Sequence, residues 1–516
     1  MIGPLYLHYN KVFERKLSKI TQTAICKKIS DLAGIAYFEI PEFHDTIHLA
    51  SQAAQSGPPN ILREFTGLVQ GLITMIGFLG VLIVLSPMLA GLVCLAAFPQ
   101  LIIQLEINRQ RFRLASDISP EQRRASYFRS VLSGISAAKE LRLFDLSDYF
   151  LEKFLRVQHA VHKHQNHQSY RELQWQLFLN LFSSTISSGA FVFVVIQGFR
   201  GNLTLGDITL YSSAVSSVLG ALYGIARALS GLNEKSLFFT NYQKLMDLPQ
   251  PIKITSRTRP TSPLSSGIII DNVSFRYTNK SPWVLRNVNL NIAPGRCTAL
   301  VGLNGVGKTT LVKLITRLYD PTEGKIMWNG INIAEFDPSE YRERIGAIYQ
   351  DFMHYELSAM ENIGLGDVSR IDNIGLIKQA AEKAGIHDVI EKLPQGYQTT
   401  LSRRLVSESE GAELSIGEWQ KIAIARMLMR DADFLILDEP TSSLDAKSEY
   451  DVFCQFAKLI SERTCLLISH RFSTVKMADT IAVMEDGKIT DCASHEELIS
   501  KKGSYSQLYK LQTERY

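Results

Sequence analysis

The stretch GLNGVGKT, residues 302–309, carries the residue types that hold a polyphosphate. Its spacing is G-x-x-x-x-G-K-[ST]; the strand-like run CTALV precedes it and a helical pattern, TTLVKLITRLY, follows. Gly302, Gly305 and Gly307 free the backbone to wrap phosphates, Lys308 offers a point charge to the β- and γ-phosphates, and the Thr309 hydroxyl is placed for Mg2+. Asn304 and Thr310 lie inside the same binding run, 302–310. Further on, FLILDEP (434–440) reads as a buried strand ending in two acids. Asp438 at its tip suits a Mg2+ shell, and Glu439 is placed to polarise an attacking water. A third stretch, ELSIGEWQ (413–420), reads as a helix start. Ser415 serves as N-cap, and Glu418 reaches back to the Ser415 N–H. Such a start is also an anion site, because its first N–H groups lack intrahelical partners.

Elements must position these residues, and the chain is long enough to supply several domains: it has 516 residues. The net charge of +4 is too mild to argue for nucleic acid. Mean hydropathy is near zero, but that average hides a split between long apolar runs before residue 235 and mixed, charged sequence after 265. The six cysteines are scattered without a CxxC, which suits a reducing compartment and gives no disulfide or metal framework. The first residues lack the charged-then-apolar order of a cleavable signal peptide.

Four apolar runs meet the requirement of about 20 largely uncharged residues for a membrane span: 65–85, 88–105, 175–199 and 208–229. The loop 108–171 carries about a dozen Lys and Arg, whereas the turns at 86–87 and 200–204 carry almost none. The positive-inside rule places the long loop in the cytoplasm, and all four spans agree on one topology with the C-terminal half inside. Gly67 and Gly71, with the serines at 183, 184, 187, 188, 212, 213, 216 and 217, read first as close helix packing and second as a polar lining. The histidines at 159, 162, 164 and 167 read as a solvated helix face rather than a metal site. The run 249–266 is Pro/Ser/Thr-rich and reads as a linker, after which GIIIDNVSFRY alternates like a strand.

The phosphate loop and acids alone specify a P-loop NTPase. With ELSIGEWQ added, residues 267–516 resemble the nucleotide-binding domain of an ABC transporter. The resemblance makes Tyr277 in SFRY the aromatic that stacks on adenine, and Gln350 in IYQDF the glutamine that senses Mg2+ and water. LSIGE resembles the signature LSGGQ, Ser442–Asp445 the D-loop, with Asp445 beside the nucleotide, and His470 in LLISHR the switch histidine at the γ-phosphate. In that family the signature of one chain completes the ATP site of a second chain, so Ser415 and Gly417 would meet the γ-phosphate bound by a partner. Two residues depart from the pattern: Ile416 replaces the first glycine and Glu418 replaces glutamine.

The N-terminal half resembles the membrane domain of bacterial exporter half-transporters. Residues 36–50 look like its first coupling segment, 134–154 like its second, and NLTLGDITLY (202–211) like the start of its last membrane helix. The class has six membrane helices; here the first two are expected to be absent, leaving four. The expected architecture is an all-α membrane bundle with long cytoplasmic helical loops (1–248), the linker 249–266, and an α/β ABC ATPase (267–516). The expected function is ATP-driven efflux by a dimer in the cytoplasmic membrane, with Glu439, His470 and Gln350 catalytic and Thr309, Gln350 and Asp438 at Mg2+. The implied partners are a second half-transporter chain, the lipid membrane and an exported substrate the sequence does not name. The alternatives are a truncated subunit that needs a full-length partner, and a soluble ABC-type ATPase of the DNA-repair or translation class.

Overall fold

The computed structural model describes residues 2–513 apart from scattered positions between 89 and 117 and residues 201–203, 255–258, 404–410, 440–462, 470 and 502. The chain folds as two compact units, Met1–Ile29 with His44–Leu248, and Ser30–Phe43 with Pro249–Tyr516.

The first unit contains helices α1 (Ile2–Ser30), α2 (Pro41–Leu85), α3 (Ser119–Ser133), α4 (Ile135–Leu143), α5 (Ser147–Phe199) and α6 (Leu205–Met246). Among the described residues three stretches are long and apolar enough to cross a membrane: Asn60–Val84, Ser147–Phe199 and Leu205–Leu229. The expected span at 88–105 falls largely on residues outside the described ones. Helix α5 has 53 residues. At 1.5 Å per residue that is about 80 Å, against roughly 30 Å for a bilayer core, so its polar first half extends well past its apolar second half. The histidines at 159, 162, 164 and 167 are all exposed on that polar half, and among the described residues no group of three metal-ligating side chains forms.

Helix α6 begins where NLTLGDITLY predicts a helix start. Thr204 Oγ1 accepts the Asp207 N–H at 3.2 Å, and Asp207 Oδ2 accepts the Thr204 N–H at 2.8 Å. This capping box satisfies two N–H groups that a helix start leaves open. Leu82, Ala190, Val194, Tyr211 and Ala214 form a core that joins α2, α5 and α6. Gly71 makes the close approach expected of a small residue: a Cβ there would lie 2.8 Å from Ile225 Cγ1 and 3.3 Å from the Ala221 carbonyl. A Cβ at Gly67 would meet nothing within 4 Å among the described residues, so among these only one glycine of the pair packs this way. The serines divide similarly: Ser183 is buried, whereas Ser212, Ser213 and Ser216 are exposed in the single chain.

The second unit holds two sheets. Strands β1 (Ile268–Phe275), β2 (Leu285–Ile292), β4 (Glu323–Trp328) and β5 (Ile331–Asn332) form an antiparallel sheet in the order β2-β1-β4-β5. Strands β3 (Cys297–Val301), β6 (Ile345–Ile348), β7 (Phe434–Asp438), β8 (Thr464–Ile468), β9 (Thr480–Glu485) and β10 (Lys488–Ala493) form the other, in the order β10-β9-β3-β8-β7-β6. Within it β9, β3, β8, β7 and β6 are parallel. Leu300, Ile436, Leu466 and Ile468 face one core; Ala299, Leu435, Leu437 and Leu467 face the other. The side chains alternate because a strand repeats every two residues, and both faces are covered, so runs such as FLIL are apolar throughout. Helix α7 (Lys308–Ile315) follows β3, and helices α8 (Ala359–Gly364), α9 (Ile374–Lys383) and α10 (Ile416–Met429) form a separate helical layer. Ser30–Phe43, N-terminal in sequence, belongs to this unit: the Ile35 N–H donates to the Leu318 carbonyl at 3.2 Å.

Candidate nucleotide site

Parallel strands end on one edge of the sheet, and the chemistry-bearing residues follow those ends. The loop 302–307 follows β3, Glu439 follows β7, and Gln350 comes two residues after β6. The registers place Ile348 beside Leu437 and Asp438 beside Ile468, so β6, β7 and β8 finish level. Such an edge is where open α/β sheets bind ligands.

The loop is bent by its glycines. Gly307, which caps α7, has φ +108°, and a Cβ there would meet Leu285 Cδ2 at 2.6 Å. Only glycine combines that backbone angle with that approach. Lys308 is 7% exposed, and its Nζ donates to the Gly302 carbonyl at 2.8 Å and the Leu303 carbonyl at 2.9 Å. Burial pulls the ammonium below its ordinary value, against the attraction of Glu439 and Asp438.

Asp438 is 3% exposed. Burial pushes its carboxyl up to about 6, the Glu439 carboxylate adds to the rise, and Lys308 and a hydrogen bond from Thr309 oppose it. Its Oδ2 is buried with no hydrogen-bond partner among the described residues. An orphaned carboxylate oxygen is costly to bury, and the carboxylate that carries this one is hydrogen-bonded by Thr309 and attracted by the Lys308 ammonium. A hard divalent cation takes oxygen ligands of this kind, so the donor set fits one. Glu439 lies in the left-handed region at φ +50°, held by its N–H donating to the Ile468 carbonyl at 2.9 Å. A non-glycine residue there costs on the order of 1–3 kcal/mol, and such strain collects at functional positions.

Tyr277 is 39% exposed, and its hydroxyl shares a 3.0 Å hydrogen bond with Thr310 Oγ1. Its ring packs edge-on against Phe275 (centroids 5.0 Å apart) and Tyr319 (5.5 Å). The aromatic is thereby seated beside the helix that carries Lys308 and Thr309. Gln350 is exposed in the turn after β6. His470 and Ser442–Asp445 lie outside the described residues; β8, between β3 and β7, ends two residues before His470.

The stretch 413–420 folds as its spacing predicts. Ser415 caps α10: its Oγ accepts the Glu418 N–H at 3.3 Å, and Glu418 Oε2 accepts the Ser415 N–H at 2.8 Å. Glu418 is thus committed to the cap. Ile416 is 63% exposed, and Ser415 is exposed beside it. Trp419 is buried, with the His354 ring stacked on it at 4.4 Å. The far end of α10 meets the sheet at its edge strand: a side chain at Gly346 of β6 would lie 3.1 Å from Met427. Ile416 is eleven residues, about 16 Å, back along the helix from that contact. Strand β6 is itself three strand spacings, about 14 Å, from β3, which leads into the phosphate loop.

Three residues at the site carry no motif in the sequence: Asp351, whose charge acts on Asp438, and Lys313 and Tyr319, which surround Tyr277. Lys313 falls on the helical pattern after the loop, but its spacing there says only that it is on a surface.

The ABC transporter pattern matches residues 285–442. The chain is 29% identical to the subtilin transport ATP-binding protein SpaT of Bacillus subtilis, across 98% of this chain and 82% of that protein. It is 26% identical to the nisin transport ATP-binding protein NisT of Lactococcus lactis subsp. lactis, across 99% and 84%. A putative multidrug export ATP-binding/permease protein of Staphylococcus aureus is 33% identical, across 66% of this chain and 58% of that protein. The fold of this chain is similar to that of a solved bacterial Atm1-family ABC exporter with ATP bound, with a TM-score of 0.84, 21% identity, and 99% of this chain and 86% of that one covered. The soluble alternative finds no support among these relatives, and apolar helices of membrane-crossing length are present. The chain is thus similar to ABC transporters of the exporter half-transporter type: residues 285–442 match their ATPase pattern, apolar helices of membrane-crossing length precede that match, and relatives named for transport or export align along most of the chain.

Proposed function

We propose that two such chains pair in the cytoplasmic membrane with their ATPase domains in the cytoplasm, and that each ATP is held between the phosphate loop of one chain and the signature of the other. The domains of this reading are a transmembrane domain with long cytoplasmic helical loops, 1–248, a linker at 249–266 and the ATPase at 267–516. The buried Asp438 carboxylate, hydrogen-bonded by Thr309, attracted by Lys308 and with its Oδ2 left without a partner among the described residues, carries the assignment of the phosphate site.

In this reading the backbone of 302–310, including Asn304 and Gly305, wraps the phosphates. Lys308 exchanges two neutral carbonyl acceptors for charged phosphate oxygens, which are the stronger partners. Thr309, Asp438 and Gln350 would hold Mg2+, which when bound offsets charge on the β- and γ-phosphates. The Glu439 carboxylate takes a proton from a water as that oxygen bonds to the γ-phosphorus; the bond to the bridging oxygen breaks, leaving ADP and phosphate. His470 hydrogen-bonds the γ-phosphate, Tyr277 stacks on adenine, and Asp445 lies beside the nucleotide. Ser415 Oγ and the Gly417 N–H of the second chain close the site from its far side, at a helix start that favours an anion.

The exposure of Ser415 and Ile416, at the end of α10 away from β6, supports a partner chain as their target. A crosslink between the phosphate loop and the signature tests this, because the proposal requires it to join two chains. For the cargo we take the relatives that align across nearly the whole chain, named for subtilin and nisin transport, over the multidrug relative that aligns across two thirds of it.

A further inference from the structure

Ala36–Glu39 forms one 3-10 turn before α2. Its last residue, Glu39, is the junction of a charged and aromatic cluster on the second unit. Glu39 Oε1 accepts from Lys313 Nζ at 2.5 Å, and Oε2 accepts from the Tyr319 hydroxyl at 2.5 Å. Both donors touch Tyr277. The Lys313 ammonium lies 5.7 Å from the centre of the Tyr277 ring, and Tyr319 packs edge-on to that ring at 5.5 Å. Tyr277 is tied in turn to Thr310. Lys313 stands on the last turn of α7, the helix whose first residue is Lys308. One short helix therefore meets the phosphate loop at its start and the 30–43 segment near its end.

The charges in this cluster are matched. Burial alone would raise the Glu39 carboxyl, but the bonds from Lys313 and Tyr319 outweigh it and hold the group below its ordinary value. Both carboxylate oxygens are occupied by short bonds, one of them to a cation, which is the strong kind. Without the Glu39 charge, Lys313 retains a competing attraction to the Asp351 carboxylate. That attraction would draw the ammonium off the Tyr277 ring, and the Tyr319 hydroxyl would keep only a neutral acceptor in place of a charged one.

We propose that Glu39 is a positioning residue for the nucleotide base: by holding Lys313 and Tyr319 against Tyr277, it fixes the ring on which the base stacks. The proposal rests on the reading above that Tyr277 stacks on adenine. It gives the turn leading into α2 a direct influence on how firmly the base is held, separate from the phosphates.

The test uses the full chain in nanodiscs and two ligands, Mg-ATP and Mg-tripolyphosphate, the second having phosphates and no base. Glu39→Gln keeps the shape and removes the charge. It should raise the Kd for ATP about three- to tenfold, the span of a lost cation–π contact, and leave tripolyphosphate binding within about twofold. Tyr277→Ala should weaken ATP binding to a similar degree, and Glu39→Gln on that background should add little, because the two act through one ring. Tyr319→Phe, which removes a single hydroxyl, should lower ATP affinity less and in the same direction. Equal weakening of both ligands by Glu39→Gln, an unchanged ATP Kd, or additive effects in the double variant would overturn the role of Glu39. If Tyr277→Ala itself leaves ATP binding unchanged, the base-stacking reading falls and takes the proposal with it. If Tyr277→Ala weakens ATP and Glu39→Gln does nothing, only the proposal falls.

Discussion

Asp438→Asn should make the nucleotide-free chain more stable while removing its response to Mg-ATP. Folded, the carboxyl titrates at about 6; unfolded, at its ordinary 3.8. Below about pH 4 it is protonated in both states, and the substitution changes little. As pH rises the unfolded state ionises first, and stability is lost until the folded group has ionised too, above about 6. At about 1.4 kcal/mol per pH unit, the gap corresponds to about 3 kcal/mol of cost at pH 8 for carrying this charge in the folded chain. Asn has the shape of the neutral acid and avoids that cost. The expected gain in Tm is about 6–12 °C, at the 2–4 °C per kcal/mol of a domain this size. The assay is thermal unfolding of the detergent-purified chain with chelator, at pH 8 and at pH 4. The gain should be present at the first and nearly absent at the second. With Mg-ATP added at pH 8 the wild type should rise and the variant should not. A lower Tm for Asp438→Asn at pH 8 without nucleotide would refute the argument, because it would mean that the ionised carboxylate stabilises the empty site.

Glu439→Gln should keep ATP binding and cut hydrolysis by about 10²–10⁴-fold, the usual loss for a general base; phosphate release and equilibrium binding measure the two, and wild-type turnover would remove Glu439 from the mechanism. Inside-out vesicles carrying the wild-type chain should take up nisin or subtilin in an ATP-dependent manner, and vesicles carrying Glu439→Gln should not; equal uptake by both would contradict the cargo assignment.

Much of the site was legible because its parts are local. The phosphate loop is one strand, one turn and one helix start, and Gly307, Lys308 and Thr309 are neighbours in sequence. Ser415 and Glu418 form their capping box from a spacing of three residues. Asp438 ends an apolar strand, and a strand end can be read from where the apolar run stops. Contacts between distant segments gave no such signal. Glu39 and Lys313 are 274 positions apart, and nothing near either predicts the other. For the same reason residues 30–43 read as part of the N-terminal half, although they pack with the ATPase unit. Gly67 and Gly71 look alike in sequence, and only the neighbouring helix, with Ile225 facing one of them, tells them apart. The strain at Glu439 also depends on a neighbour: the Ile468 carbonyl of the adjacent strand holds its N–H.

The most direct test of the central claim, that two chains build each ATP site, uses two exposed residues: Leu303 in the phosphate loop, 65% exposed, and Ile416 at the signature, 63% exposed. One chain carries both as cysteine, Leu303→Cys and Ile416→Cys, in the Glu439→Gln background with Mg-ATP to hold the closed state. Each single-cysteine variant serves as a control for the native cysteines. A short bifunctional thiol crosslinker is added and the products are sized on a denaturing gel. The account predicts a covalent dimer that needs both cysteines and increases with ATP. A crosslinked product that stays at monomer mass would contradict it, since loop and signature would then meet within one chain.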